Sequence, residues 1–159
     1  MVDCIEFLLG ENLEEAAGVY VRAAKLEKPP GNMPEELVRK MLRRHKCFVY
    51  KSDGKITGLV VFRVHGWGRI RPKRVKINFI GTIETGKGIG KKLMRKVAEH
   101  AVDDGANIIY SEVSGIDARA RAFYKKLGFD EYGTTESPVS GVLLYRIKAK
   151  AEMVLRSAQ

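Results

Sequence analysis

The chain has 159 residues and a formal net charge of +10 at pH 7, with 45% hydrophobic and 30% charged residues. This length suits one compact domain with a sizeable core and is short for two. The composition excludes a low-complexity chain, and the apolar stretches are too short to cross a membrane as helices. The positive charge predicts an anionic partner, which could be RNA, an acidic protein or a polyphosphate cofactor.

The N-terminus, the cysteines and the histidines bear on the compartment and on metal binding. The N-terminus lacks the basic region and long apolar run of a signal peptide, so we expect a cytoplasmic protein. Cys4 and Cys47 stand apart without CxxC spacing, and we expect them to be small buried residues in a reducing compartment. The histidines are scattered, so we expect no metal site.

The N-terminal quarter predicts one strand followed by two helices. Residues 5–9 form the strand, and Asn12 is placed to cap a helix that runs to about Lys25. Pro34 stands at the first position of a second helix. We expect the buried side of this second helix to carry Leu37, Met41 and Leu42.

The pattern then changes to strands. Runs at 47–50 and 56–62 flank Ser52-Asp53-Gly54, which is a hairpin turn signal. Residues 63–74 are rich in glycine, proline and arginine and predict a loop, whereas residues 75–80 alternate as a strand. This basic loop could contact RNA or a ribosomal surface, or it could be a solvated hairpin tip.

The remainder of the chain predicts two more helices and three more strands. In chain order they are a helix from about Gly88 to Asp104, a strand at 108–113, a helix near 117–127 that ends at Gly128, and a hairpin of 129–134 and 142–147. The tail, 148–159, could be a short helix. This order predicts a single α+β domain over residues 1–159, with a mixed, mostly antiparallel sheet of about seven strands flanked by about four helices.

The segment TIETGKGIGKKL, residues 82–93, has the features of a phosphate-binding turn. Its three alternating glycines let backbone N–H groups approach a ligand without intervening side chains. The helix behind them adds unpaired N–H donors and the positive end of its dipole. Lys91 and Lys92 oppose that dipole, and a bound anion would offset the penalty. A tight strand-to-helix connection with solvated lysines is the alternative.

Two common phosphate-binding motifs do not fit this segment. Counted from Gly81 it approaches a P-loop, but Gly88 stands where that motif needs Ser or Thr to hold Mg²⁺. The dinucleotide-binding fingerprint requires GxGxxG and an acidic residue that ends the next strand. We therefore reject both.

A third pattern fits better. Gly88-Ile89-Gly90 resembles the acetyl-CoA pyrophosphate loop of the GNAT superfamily of N-acetyltransferases, written Gln/Arg-x-x-Gly-x-Gly/Ala. Residues 112–129 resemble the family's segment Glu-Val-x-x-x-Asn-x-x-Ala-x-x-x-Tyr-x-x-x-Gly-Phe. The matching positions in that segment are Glu112, Val113, Ala120, Tyr124, Gly128 and Phe129. The close resemblance covers about residues 75–130 and implies the acyl-CoA N-acyltransferase fold.

Two residues depart from the family pattern. Thr85 stands where Gln or Arg is usual, so one long side-chain contact to the phosphates is missing, and Lys87 and Lys91 could replace its charge. Asp117 stands where Asn is usual. It can accept a hydrogen bond, but it loses the amide donor and adds a negative charge near the cofactor.

The resemblance also implies where acetyl-CoA binds. The fourth and fifth strands would splay apart, and the pantetheine arm would pair with the backbone near Phe79 and Ile80 as an added strand would. The pyrophosphate would lie on N–H groups of residues 86–91. The implied cofactor-binding residues are Phe79, Ile80, Thr85, Gly86, Lys87, Gly88, Ile89, Gly90, Lys91, Asp117 and Tyr124.

The implied reaction is direct attack of a free amine on the thioester, without an enzyme nucleophile. Tyr124 matches the family's usual general acid, although a tyrosine that merely packs is the alternative. Glu112 corresponds to a glutamate that is the base in some N-terminal acetyltransferases of the family, and a structural carboxylate is the alternative there. Glu84, beside the cofactor, could instead act as a base through water.

The expected function is thus transfer of an acetyl group from acetyl-CoA to an amine, without a metal. In this family the first two helices and the last hairpin form the acceptor site. The acceptor is a protein N-terminus, a lysine or a small amine. The alternative is a non-catalytic CoA-binding or RNA- or ribosome-associated module on the same fold. We expect no membrane partner.

Overall fold

The computed structural model describes residues 2–67 and 71–159, apart from the side chain of Trp67. Over these residues the chain forms seven strands and five α-helices, which confirms the predicted α+β class. A short 3-10 turn, Gly10–Asn12, precedes the first helix. In chain order the elements are β1 (Cys4–Phe7), α1 (Leu13–Ala24), α2 (Glu35–Arg44), β2 (Lys46–Ser52), β3 (Lys55–Trp67), β4 (Arg71–Thr82), α3 (Ile89–Asp103), β5 (Ile108–Ser114), α4 (Ala118–Lys126), β6 (Asp130–Glu136), β7 (Leu143–Lys150) and α5 (Ala151–Ser157).

The strands form one mixed sheet in the order β1-β2-β3-β4-β5-β7-β6. Every neighbouring pair is antiparallel except β4 and β5, which are parallel. The β4–β5 ladder pairs only Arg74–Lys76 with Ile108–Tyr110. Since β4 continues to Thr82 and β5 to Ser114, the two strands separate beyond this ladder and the sheet opens between them.

A bulge in β4 lies at the start of this opening. Val61 pairs with Phe79 and Phe62 pairs with Ile77, so Asn78 is an extra residue without a partner on β3. The extra residue reverses the alternation of side chains along the strand. Ile77 therefore packs on one face of the sheet and Phe79 on the other.

Each face of the sheet carries a hydrophobic core. On the α3 side, residues of α3, α4 and α5 pack against the sheet, with Leu93, Met94 and Val97 fully buried. On the α1 side, α1 and α2 cover β2, β3 and the end of β4. The predicted turn between β2 and β3 is confirmed, because Asp53 and Gly54 have positive φ of 53° and 76°, as a tight hairpin requires.

Several local predictions were wrong. Residues 63–67 and 71–74 are strand rather than loop, because Val64 and Val75 alternate with charged residues and pack into the core. Residues 68–70 of that predicted loop lie outside the described part. On α2, Val38 is buried and Leu37 is 49% exposed. Pro34 precedes the helix rather than opening it.

Two further details concern helix ends. Asn12 occupies the N-cap position of α1, but its side chain makes no capping hydrogen bond. The tail contributes the last residues of β7 and then the fifth helix, α5. Ala151 and Val154 of α5 are buried in the core on the α3 side, which is why this segment is ordered as part of the domain.

Candidate functional site

A cleft of about 580 Å³ lies where β4 and β5 separate. Its floor is formed by the open ends of the two strands, and the glycine turn before α3 forms one end. The last turn of α1, the start of α4 and the segment before β7 form its other walls. The residues that border it include Tyr20, Glu27, Phe79, Ile80, Thr85, Gly86, Gly88, Ile89, Gly90, Lys91, Ser111, Glu112, Asp117, Tyr124 and Leu144. Apart from Lys87, the predicted acetyl-CoA residues therefore lie around one cleft.

The glycine turn presents an uncapped helix end to this cleft. Gly86 and Gly88 have φ of 77° and 67°, which only glycine adopts without strain. Gly88 is the N-cap of α3 and provides no side-chain cap. The first intrahelical bond runs from the Lys92 N–H to the Gly88 carbonyl at 3.1 Å. The N–H groups of residues 89–91 precede that bond, and an N-terminus of this kind binds anions.

The predicted cationic substitutes for the missing Gln or Arg differ from each other. Lys87 lies 2.9 Å from the Glu84 carboxylate in an ion pair, and this hydrogen bond raises the pKa of Lys87. Lys91 borders the cleft directly. Because Glu84 neutralises much of the charge on Lys87, Lys91 is the more available cation. The same ion pair occupies Glu84, which weakens the interpretation of Glu84 as a base.

Tyr124 is buried at the inner wall of the cleft, with 6% of its surface exposed. Its ring packs edge-on against Phe123 and Phe129, at centroid distances of 5.3 and 5.1 Å. Burial raises the pKa of the Tyr124 phenol, and the neighbouring Ser111 hydroxyl partly opposes that shift. The Ser111 hydroxyl in turn donates to the Ile77 carbonyl at 2.8 Å. The phenol therefore stays protonated at neutral pH and can donate a hydrogen bond into the cleft.

Asp117 connects α4 to the segment that follows α1. One carboxylate oxygen accepts a hydrogen bond from the Ala120 N–H at 3.0 Å, which caps α4. The other accepts one from the Lys28 N–H at 3.3 Å. The aspartate that replaces the family's usual asparagine thus holds two segments 89 positions apart along the chain, and it places a negative charge at the cleft.

Glu112 borders the cleft from the side opposite Tyr124. Its neighbours Ser111 and Val113 are buried on the α3 side, so alternation directs Glu112 to the α1 side. The residue is exposed, and Arg146 of β7 stands directly across from it in the ladder. A ligand that passes between β4 and β5 would therefore meet the phenol and this carboxylate from opposite faces of the sheet.

Two residues that border the cleft, Glu27 and Tyr20, were not predicted from the sequence. Glu27 remains in contact with solvent at the cleft mouth, yet burial against the protein and the nearby Asp117 raise its pKa to about 7. Burial, with a smaller effect from Glu27, raises the pKa of Tyr20 to about 12. The sequence around Glu27 is polar and ends in two prolines, so no motif or periodicity marks it. The segment after α1 is held beside the start of α4 by the hydrogen bond from the Lys28 N–H to Asp117, and this long-range contact brings Glu27 to the cleft.

The described residues offer neither a metal-binding cluster nor a membrane-spanning helix. Across 2–67 and 71–159, no group of three or more His, Cys, Asp or Glu side chains could hold a metal ion. Nor does any helix in this part of the chain have both the length and the apolar character needed to cross a bilayer.

The sequence and the fold match known proteins. A model of the acetyltransferase (GNAT) family matches residues 13–129, so the chain belongs to that family. A streptothricin acetyltransferase of Streptomyces lavendulae is 32% identical over 80 residues, which are 49% of this chain and 40% of that protein. The chain thus matches less than half the length of this curated relative.

Solved structures show the same architecture over nearly the whole chain. The ribosomal-protein-S18-alanine N-acetyltransferase of Escherichia coli superposes with a TM-score of 0.78 at 17% identity, covering 94% of each chain. The acetyltransferase yncA of Salmonella typhimurium, solved with its cofactor acetyl-CoA, gives 0.74 at 14% identity and covers 95% of each chain. These similarities establish the acyl-CoA N-acyltransferase fold.

Proposed function

We propose that this protein transfers the acetyl group of acetyl-CoA to an amine by direct attack of the amine on the thioester. The observation that carries the proposal is the cleft itself, where an opened sheet edge, an uncapped helix N-terminus and a buried phenol meet. Membership of the GNAT family and the relative solved with acetyl-CoA support the same donor. The acceptor is a protein N-terminus, a lysine or a small amine.

The donor would lie along β4 and turn at α3. Beyond Lys76 the β4 backbone has no β5 partner in the ladder, so groups near Phe79 and Ile80 are free to pair with the extended pantetheine arm. The pyrophosphate would accept hydrogen bonds from the N–H groups after Gly88, with Lys91 nearby. Phe123 lies close behind this turn, because a Cβ at Gly90 would come within 3.2 Å of its ring. A side chain at position 90 would crowd the Phe123 ring, and glycine avoids this contact between α3 and α4.

Tyr124 is proposed as the donor to the departing CoA sulfur. A thiol has a pKa of about 8.5, well below that of this buried phenol. Full proton transfer to the thiolate is therefore unfavourable, and the phenol acts by donating a hydrogen bond as negative charge develops on sulfur. Such a donor stabilises the transition state because it is already oriented and partly removed from water.

The attacking amine needs a base, since a protonated amine has no lone pair. An α-amino group has a pKa of about 8 and a lysine about 10.4, so both are largely protonated at neutral pH. Glu112 remains the proposed base on the acceptor side. Glu27 is a second candidate that the sequence did not indicate, because a carboxylate with a pKa of about 7 is matched to proton transfer at neutral pH.

Titration calorimetry with acetyl-CoA, followed by a thiol-release assay over amines and peptides, tests the proposal. Gly88→Ala and Gly105→Ala form a matched pair, since both glycines have positive φ and open space at the Cβ, at opposite ends of α3. Each should cost about 1 kcal/mol of stability. Only Gly88→Ala should weaken acetyl-CoA binding, by about tenfold for one lost charge-assisted hydrogen bond.

Calorimetry and the thiol-release assay together also distinguish an acetyltransferase from a non-catalytic CoA-binding module. Saturable binding that Gly88→Ala weakens, without turnover across α-amines, lysine peptides and small amines, would favour a non-catalytic CoA-binding module. Equal effects of the two glycine variants would remove the turn from the binding site. Absence of binding by the wild-type protein would overturn the proposed function as a whole.

A further inference from the structure

The α1 side of the sheet is bare beyond β4 and carries mostly basic residues. The helices that contact β5 and β7, namely α3, α4 and α5, lie on the α3 side. The main sheet contacts of α1 and α2 are with β2, β3 and β4. On the α1 side of the sheet, alternation places six cationic side chains, here called the basic face. They are Arg63 of β3, Arg74 and Lys76 of β4, and Arg146, Lys148 and Lys150 of β7.

The basic face has too few carboxylates to balance it. Glu112 and Asp130 are the acidic residues whose ladder partners place them on the same side. Among the described residues, none of the six cations forms an ion pair with a carboxylate. His65 lies between these cations, and its pKa is lowered by burial and by Arg63, Lys76 and Arg74. The local potential is therefore positive.

Two polar atoms at one edge of this face lack hydrogen-bond partners within the described chain. The Arg63 Nε and the His65 Nε2 are both buried and unpartnered. A buried donor of this kind costs free energy unless a partner arrives. The His65 ring lies 6.3 Å from the Tyr110 ring, so this edge of the face reaches the residues of β5. An anionic ligand on the face would balance its positive charge.

The basic face is continuous with the cleft. Glu112 borders the cleft and also stands in the same row of β5 as Tyr110. Measured along the strands from Glu112, the ladder positions of Lys148 and Lys150 lie about 7 and 13 Å away. An extended peptide whose N-terminus enters the cleft would reach these rows with about its third to fifth residues. The peptide that carries the amine can therefore contact the basic face while its N-terminus lies in the cleft.

We propose that the basic face docks an acidic segment of a protein acceptor, just after its acetylated N-terminus. The proposal rests on the proposed function and selects a peptide with Asp or Glu at about positions 3 to 5. Single-stranded RNA fits less well. Arg74 lies over the Tyr110 ring at 4.5 Å and Lys148 over the Tyr132 ring at 4.9 Å, so each ring already stacks with a cation on one face. Glu112 and Asp130 also interrupt the face where a continuous phosphate chain would run.

Steady-state kinetics with two acceptor peptides test this docking. The peptides share their first residues and differ only in Asp and Glu against Asn and Gln at the downstream positions. We expect a KM lower by about three- to tenfold for the acidic peptide, an advantage that salt removes, with kcat little changed. Lys76→Gln/Lys148→Gln should abolish the advantage. Lys125→Gln/Lys126→Gln on α4 removes the same charge from the other side and should preserve it.

Binding measured without turnover separates this inference from the proposed function. Fluorescence anisotropy with an N-terminally acetylated acidic peptide should show weaker peptide binding by the Lys76→Gln/Lys148→Gln variant and unchanged binding by the Lys125→Gln/Lys126→Gln control. Turnover with equal KM for both peptides would overturn the docking proposal and leave acetyl transfer intact. Preferential binding of a single-stranded RNA oligonucleotide to the basic face, without discrimination between the peptides, would overturn it in favour of nucleic acid.

Discussion

Replacing Tyr124 with phenylalanine removes one oxygen from the centre of the cleft. The ring keeps its contacts with Phe123 and Phe129, so no cavity larger than a hydroxyl is created. The neighbouring Ser111 hydroxyl donates to the Ile77 carbonyl with or without the phenol and is not left unpaired. We therefore expect a stability loss of about 1 kcal/mol, or a fall in Tm of about 2–4 °C.

The same change should affect turnover much more strongly. A positioned donor to the leaving group contributes about 10²-fold or more, which corresponds to about 2.7 kcal/mol of transition-state stabilisation. Thiol release under saturating acetyl-CoA and acceptor measures kcat, and calorimetry should show nearly unchanged acetyl-CoA affinity. The contrast between a small loss of stability and a large loss of kcat identifies a role in the reaction rather than in packing.

Tyr50→Phe is the matched control for this experiment. Tyr50 is also buried and also loses one hydroxyl, which here donates to Asp3 at 2.6 Å, but it does not border the cleft between β4 and β5. We expect a comparable stability change and a kcat near that of the wild type. Wild-type turnover in Tyr124→Phe, or equal losses in both variants, would refute the assigned role.

The remaining predictions concern the two carboxylates between α1 and α4. Because the fold raises the Glu27 pKa from its ordinary 4.5 to about 7, stability present below pH 4.5 is lost as the pH rises through 7. Glu27→Gln should therefore raise Tm more at pH 8 than at pH 5 by differential scanning calorimetry, and a pH-independent shift would contradict this. If Glu27 is the base, the same variant should lose the acidic limb of the kcat profile near pH 7, whereas loss of that limb in Glu112→Gln alone would assign the base to Glu112. Asp117→Asn should keep the α4 cap, since both side chains cap well, but it loses the second oxygen that accepts from the Lys28 N–H, so we expect a stability loss of about 1 kcal/mol. With one negative charge fewer at the cleft it should bind acetyl-CoA more tightly and lower the pKa of Glu27; weaker binding in calorimetry would show that the carboxylate itself is needed.

Local patterns were sufficient for most of the architecture. The turn at Asp53 and Gly54, the period-four face of α3 and the stop at Gly128 depend on neighbouring residues, so they could be predicted directly. Residues 63–67 and 71–74 were misassigned because glycine and proline there outweighed the alternation of Val64 and Val75 with basic residues. Pairing between β3 and β4, a long-range interaction, overrides that local signal.

The candidate site likewise contains residues that local motifs indicated and residues that only tertiary contacts bring to it. The sequence indicated the glycine turn and Tyr124, because both belong to contiguous motifs whose spacing carries their chemistry. It could not indicate Glu27, whose proximity to Asp117 depends on a contact between the segment after α1 and the start of α4, which are far apart in the chain. Nor could it show that Lys87 pairs with Glu84 while Lys91 borders the cleft.

The sequence by itself determined the α+β class, and it indicated the glycine turn at the start of α3 and the phenol that we propose as parts of the acetyl-CoA site. These features follow from residue types at short, fixed separations, where backbone geometry leaves little choice. Only the tertiary structure decided which faces of the sheet stay uncovered, how far β4 and β5 separate, and which carboxylates meet at the opening. Those outcomes depend on strand pairing and helix packing between distant segments, and burial and charge in the folded state then set the chemistry of each group.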